Sequence, residues 1–143
     1  MEDYSTAARL RDLLTRKRAD NAVGVEEANA AFYAAFQQRN IKAMEGIWGL
    51  GDHVQCIHPS SCCISGRESV IESWKVVLAN TAFTIQLQDI LVHAQDDFAV
   101  VTCLEVVDAA ESKGRIAATN IFEKQDGRWR IIHHHGSLAP PLR

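Results

Sequence analysis

The run Trp-Arg-Ile-Ile-His-His-His-Gly-Ser at residues 129–137 puts three histidines side by side near the C-terminal end of the sequence. Imidazole serves two kinds of chemistry, metal ligation and proton transfer near neutral pH. The spacing suits ligation poorly. Neighbours in a strand point to opposite faces, so His133 and His135 share one face, His134 takes the other, and the three do not converge on one ion. A structural zinc site wants four ligands, commonly thiolates spaced in pairs, and the four cysteines, Cys56, Cys62, Cys63 and Cys103, include no C-x-x-C spacing. The expectation is no metal and no cofactor. Proton transfer and plain packing remain as roles for the histidines.

Which face His134 occupies depends on the turn at Asp126-Gly127. A two-residue loop sets Asn120 opposite His133 and gains an attractive Glu123/Arg130 pair. A three-residue loop with Gly127 left-handed sets Asn120 opposite Ile132, diagonal to His134. Both registers stay open at this point.

The elements that hold these residues follow from periodicity. Ala7, Leu10, Leu13 and Leu14 predict a helix over about Ser5 to Ala19, surrounded by Arg9, Arg11, Arg16, Lys17 and Arg18. Asn21 to Gly24 reads as a break, making 1–24 a basic helical extension, a candidate flexible segment or partner-binding arm, ahead of a domain over 25–143. Ala28, Phe32, Ala35 and Phe36 predict a second helix, and Asn40 caps a short third one carrying Met44 and Trp48. His53 to Pro59 reads as a strand and the Cys62-Cys63 stretch as a loop. Ser65 and Glu68 have capping-box spacing ahead of a helix burying Val70, Ile71, Trp74, Val77 and Leu78. Four β-rich runs then fill the rest, so the order is helices first and an antiparallel meander second, an α+β domain with helices on one sheet face. Val100, Leu104 and Val106 alternate with Val101, Cys103 and Val107, leaving an apolar second face whose economical cover is a symmetric copy.

Composition narrows the function classes. The chain has 143 residues, 47% hydrophobic and 23% charged, with a formal net charge of −3, which suits one domain and gives no general attraction to nucleic acid or anionic membrane. No apolar run is long enough for a membrane span. Free thiols and no signal-peptide pattern point to a reducing compartment, cytoplasm or an organelle stroma or matrix, without secretion.

The order of elements, the His58-Pro59 end of the first strand, Gly66-Arg67-x-x-Val70-x-x-Ser73-Trp74, and Asp126-Gly127-x-Trp129 followed by His133-x-His135-x-Ser137 resemble the nuclear transport factor 2-like superfamily, and within it the SnoaL-like branch. The last run also resembles the association domain of calcium/calmodulin-dependent protein kinases. The resemblance covers about Val25 to Leu138. It implies a cone in which a curved antiparallel sheet wraps three helices and leaves a pocket at its open end, with homodimers through the sheet.

In the association domain, pocket side chains come from positions corresponding to Glu105, Asn120 and Gly136, which implies the three-residue register, with His134 facing inward and His133 and His135 under the dimer partner. The implied pocket then holds Trp48, His58, Trp74, Glu105, Asn120 and His134, walled by Cys56, Val101, Cys103, Ala118 and Phe122. Each has a structural reading too: the tryptophans as core, His58 bonded to a loop, Asn120 near a bulge, Glu105 at solvent or paired with Arg67. If they act as a site, burial raises the Glu105 pKa toward neutrality and a neutral histidine can exchange its proton. Glu105 or His134 would be the base, His58 a second acid/base and Asn120 the donor to an enolate oxygen. Cys103 with His134 is a further nucleophile pair. Steroid-isomerase relatives place a tyrosine in the pocket, whereas Tyr4 and Tyr33 lie outside the strands. No catalytic set of the superfamily transfers intact. The expected function is therefore a small-molecule-binding or assembly module, a homodimer with a small apolar or carbonyl ligand or a protein partner; the alternative is an isomerase or cyclase moving a proton next to a carbonyl.

Overall fold

The computed structural model describes residues 2–109 and 112–140. Three helices, α1 (Glu2–Gln37), α2 (Ile41–Ile47) and α3 (Arg67–Asn80), accompany strands β1 (Gln55–Ile57), β2 (Ile64–Ser65), β3 (Phe83–Gln95), β4 (Phe98–Ala109), β5 (Ser112–Gln125) and β6 (Arg128–Ala139). The strands form one curved, unclosed sheet in the order β2-β1-β6-β5-β4-β3. The sheet is mixed, because β1 runs parallel to β6 while the other pairs are antiparallel.

The expected break at Asn21–Gly24 does not occur: α1 runs unbroken for 36 residues. Two distant contacts hold this weak point in the helix. The buried Asn21 amide donates to the Asp96 carbonyl at 3.3 Å and its oxygen accepts from Lys124 at 3.2 Å. Gly24 meets the Trp129 ring, where an added Cβ would lie 2.9 Å from Cδ1. Residues 3–20 are exposed throughout, so the first five turns stand beyond the core. The helix ends in a left-handed Arg39 (φ 54°), whose guanidinium donates to the carbonyls of Leu78 and Ala79 and so ties α1 to the end of α3.

Asn40 caps α2 as its spacing implied, accepting from the Ala43 amide at 3.0 Å. The Ser65/Glu68 capping box does not form. Gly66 is the N-cap, at φ 90° and without a side-chain bond, and Ser65 is taken into β2. Arg67 does not pair with Glu105 either. Its guanidinium donates to the carbonyls of Glu45, Trp48 and Gly49, satisfying the open end of α2.

The core lies between the helices and the inner sheet face, centred on Phe32. Its ring sits 4.9 Å from Tyr33, 5.5 Å from Trp74, 6.2 Å from Trp48 and 5.1 Å from His134, mostly edge to face. The outer face carries the half-buried Val100, Leu104, Val106 and Ile121 together with the exposed Leu91.

Candidate functional site

The hairpin register decides what the inner face presents. Asp126 (φ 51°) and Gly127 (φ 75°) form a two-residue turn, and Glu123 pairs with Arg130 as that turn requires. Farther along, Ile121 pairs with His133 but Phe122 pairs with Ile131, so Ile132 is an extra residue in β6. The bulge moves every later pair by one. Asn120 therefore faces His134, the inward histidine, through a two-residue turn plus a bulge and not through the three-residue loop. His133 and His135 lie on the outer face beside Gln55 and Ile57 of β1.

Asn120 and His134 are fully or almost fully buried, and Glu105 is 3% exposed. α1 supplies two partners that the pattern of strands did not announce, Asn29 and Tyr33, one helical turn apart and both buried. The Tyr33 hydroxyl donates to Glu105 Oε2 at 2.6 Å. Asn120 Nδ2 donates to the Tyr33 oxygen at 3.2 Å and to Asn29 Oδ1 at 2.9 Å. With that amide nitrogen committed as a donor, Asn120 Oδ1 faces His134 Nδ1 at 2.5 Å and must accept from it. Every bond runs in a consistent direction, from His134 through Asn120 and Tyr33 to the Glu105 carboxyl. Tyr33 is thus an interior group although it lies outside the strands.

Burial sets the protonation of this chain. It pushes the Glu105 carboxyl up to about 7, partly restrained by the Tyr33 hydrogen bond, and holds the Tyr33 phenol well above its ordinary range. His134 is driven down to about 3 by burial and by the neighbouring histidines, so its imidazole is neutral. Within this hydrogen-bonded set Glu105 is accordingly the group that titrates near neutrality.

The other expected residues divide between core and periphery. Trp48, Trp74 and Phe122 are fully buried packing groups, and neither indole N–H has a hydrogen-bond partner among the described residues. His58 lies 4.9 Å from the Trp74 ring and 2.9 Å from Ser73 Oγ. The Ser73 hydroxyl donates to the Val70 carbonyl, so it accepts from His58 Nε2. That bond ties His58 to α3, and burial lowers its pKa. Cys103 Sγ lies 3.5 Å from the Tyr33 hydroxyl and burial raises its thiol, while His134 is bonded to Asn120. Cys56 is likewise buried and pushed up to about 12. A thiol held protonated is a poor nucleophile. Neither hydrogen of the Asn120 amide is free for an enolate oxygen, so the donor role expected of it would require breaking the bond to Asn29 or to Tyr33.

Residues 25–141 match the SnoaL-like domain family. The chain is 32% identical over 111 residues to the F-box protein SKIP8 of Arabidopsis thaliana, an alignment covering 77% of this chain and 47% of that protein, so the chain spans about half the length of this curated relative. A crystal structure of a candidate dehydratase of the NTF2-like family from Streptomyces avermitilis superposes with a TM-score of 0.81 at 27% identity, covering 86% of this chain and 99% of the other. A candidate calcium/calmodulin-dependent protein kinase type II association domain from Thiobacillus denitrificans gives 0.74 at 31% identity, covering 80% and 94%. No helix among the described residues is long and apolar enough to cross a membrane.

Proposed function

The chain belongs to the SnoaL-like domain family, and from that premise we propose that it is a small-molecule-binding module that works as a homodimer through its outer sheet face. The fold supports a ligand-binding or enzyme-like role in general; the hydrogen-bond chain favours binding. Asn120 and Tyr33 spend their donors on each other's network, and His134 is neutral with its Nδ1 proton committed. Glu105 keeps spare capacity, since only Oε2 is bonded among the described residues. Below its pKa the protonated carboxyl can donate to a ligand's carbonyl oxygen. This single observation, a buried carboxyl raised toward neutrality with one oxygen left unbonded among the described residues, carries the reading.

The isomerase or cyclase alternative uses the same group in the opposite state. There the Glu105 carboxylate would take the proton next to a carbonyl, so activity would rise through pH 7 where binding by the acid form falls. Cyclohex-2-enone separates the two. Affinity by calorimetry should fall above pH 7 without deuterium exchange at C6, the sp3 carbon next to the carbonyl, and Glu105→Gln should make affinity independent of pH. Exchange at C6 that climbs through pH 7 and disappears in Glu105→Gln would replace the binding reading with the enzyme one.

The homodimer is supported by the apolar outer face, where Leu104 and Ile121 lie half-buried on the side of the sheet opposite Glu105 and Asn120. Leu104→Asp should convert a dimer to a monomer in sedimentation velocity while the circular dichroism spectrum is retained. A dimer unaffected by that charge would move the interface elsewhere. The described cysteines are all free thiols, which fits a reducing compartment. The exposed basic start of α1 suits a protein partner in addition.

A further inference from the structure

The interior chain reaches the surface at Asn29. Asn29 is 3% exposed, and that small exposure falls in a cavity of about 420 Å³ between α1 and β3. Ala22, Glu26 and Ala30 form one wall with Asn29, and Leu87 and Ile90 stand opposite. Ile90 is there because β3 bulges: Asp89, left-handed at φ 54°, and Ile90 together oppose Cys103, between the pairs Gln88–Leu104 and Leu91–Thr102. The groove is a product of that inserted residue; its Leu87 is the cross-strand partner of Glu105, and its other wall is the α1 surface at Ala22, Glu26 and Ala30.

Asn29 Oδ1 accepts from Asn120 Nδ2. Its own Nδ2 has no hydrogen-bond partner among the described residues and keeps a little exposure, and Asn29 lines the groove, so the amide protons face it. An amide whose oxygen accepts a bond is a stronger donor at its nitrogen, because the two bonds polarise the group in the same direction. The surroundings are apolar apart from the Glu26 carboxylate, which disfavours anions by like-charge repulsion. We propose that this groove is a second binding site, for small neutral apolar molecules bearing a carbonyl oxygen that accepts from Asn29 Nδ2. It goes beyond the interior site, and either can fail without the other.

Acetophenone and α-methylstyrene, which differ in having an oxygen or a methylene at the same position, test the idea on the full chain by ¹H–¹⁵N and methyl NMR. Acetophenone should shift the Asn29 side-chain amide and the Ala22, Ala30 and Leu87 signals saturably, and α-methylstyrene should bind about tenfold more weakly, the worth of one partly buried hydrogen bond. Ala30→Trp, which fills the groove without touching Asn120, should abolish the shifts. Asn29→Asp, which keeps an acceptor for Asn120 but loses the donor, should bring acetophenone down to the level of α-methylstyrene. Equal affinity for the two probes, shifts centred on Cys103 and Ile116, or an Ala30→Trp variant that binds normally would each overturn the proposal.

Discussion

Asn120→Leu lowers the unfolding free energy by about 4 kcal/mol, the sum expected for two buried groups stranded at about 1–3 kcal/mol each plus the lost charge-polarised bonds. Leucine keeps the branched shape and is somewhat larger, so no cavity opens. What is lost is connectivity: His134 Nδ1–H and Asn29 Oδ1 are left without partners inside an apolar interior, while Tyr33 keeps its bond to Glu105. Urea denaturation at pH 7 measures it. Combined with Tyr33→Phe, the loss should be clearly less than the sum of the two single losses, because both variants break the same Asn120–Tyr33 bond. A loss below about 1 kcal/mol would be within the range of a surface substitution and would mean the chain of bonds is not formed in solution.

Glu105→Gln has the second large effect, and its sign depends on pH. Burial raises the folded-state pKa of Glu105 from 4.5 to about 7, so its contribution to stability is fully present below 4.5 and is lost as pH rises through 7. That displacement is worth about 3 kcal/mol. Glutamine carries no ionisation cost, so the variant should match the wild type near pH 4.5 and exceed it by about 3 kcal/mol, roughly 10 °C in Tm, at pH 8. His134 acts in the opposite sense. Its folded pKa is depressed to about 3, so its contribution is present above 6.5 and is lost as pH falls toward 3. Between 4.5 and 6.5 the two nearly cancel in the wild type, whereas Glu105→Gln leaves the His134 dependence alone and should show stability climbing with pH across that window. A variant equally destabilised at both pH values would contradict the buried-acid assignment.

The strands were legible because their alternation and the Asp126-Gly127 turn are local signals. The helix break was misread for the same reason. Asn21 and Gly24 are poor helix residues by themselves, and what keeps them helical, the Asp96 carbonyl and the Trp129 ring, lies about 75 and 105 residues away. The hairpin shows the limit most clearly. The Glu123/Arg130 pair correctly indicated a two-residue turn, but no glycine or proline marks the bulge at Ile132, and only the packing of that extra residue against Gly49 and of Ile131 beside Trp48 absorbs it. Inward Glu105, Asn120 and His134 came from resemblance. Asn29 and Tyr33 were missed, although an Asn one turn ahead of a Tyr beside the Phe32 and Phe36 stripe was the available signal: two polar groups at the flank of an apolar helix face need a partner.

The most direct measurement is the titration of the Glu105 carboxyl carbon by ¹³C NMR of glutamate-labelled protein, assigned by its absence in Glu105→Gln. The structure predicts a midpoint near 7, moving upward in Tyr33→Phe because the phenol's hydrogen bond favours the carboxylate. A midpoint near 4.5, unmoved by Tyr33→Phe, would place that carboxyl in water and remove the basis for both the binding role and its dependence on pH.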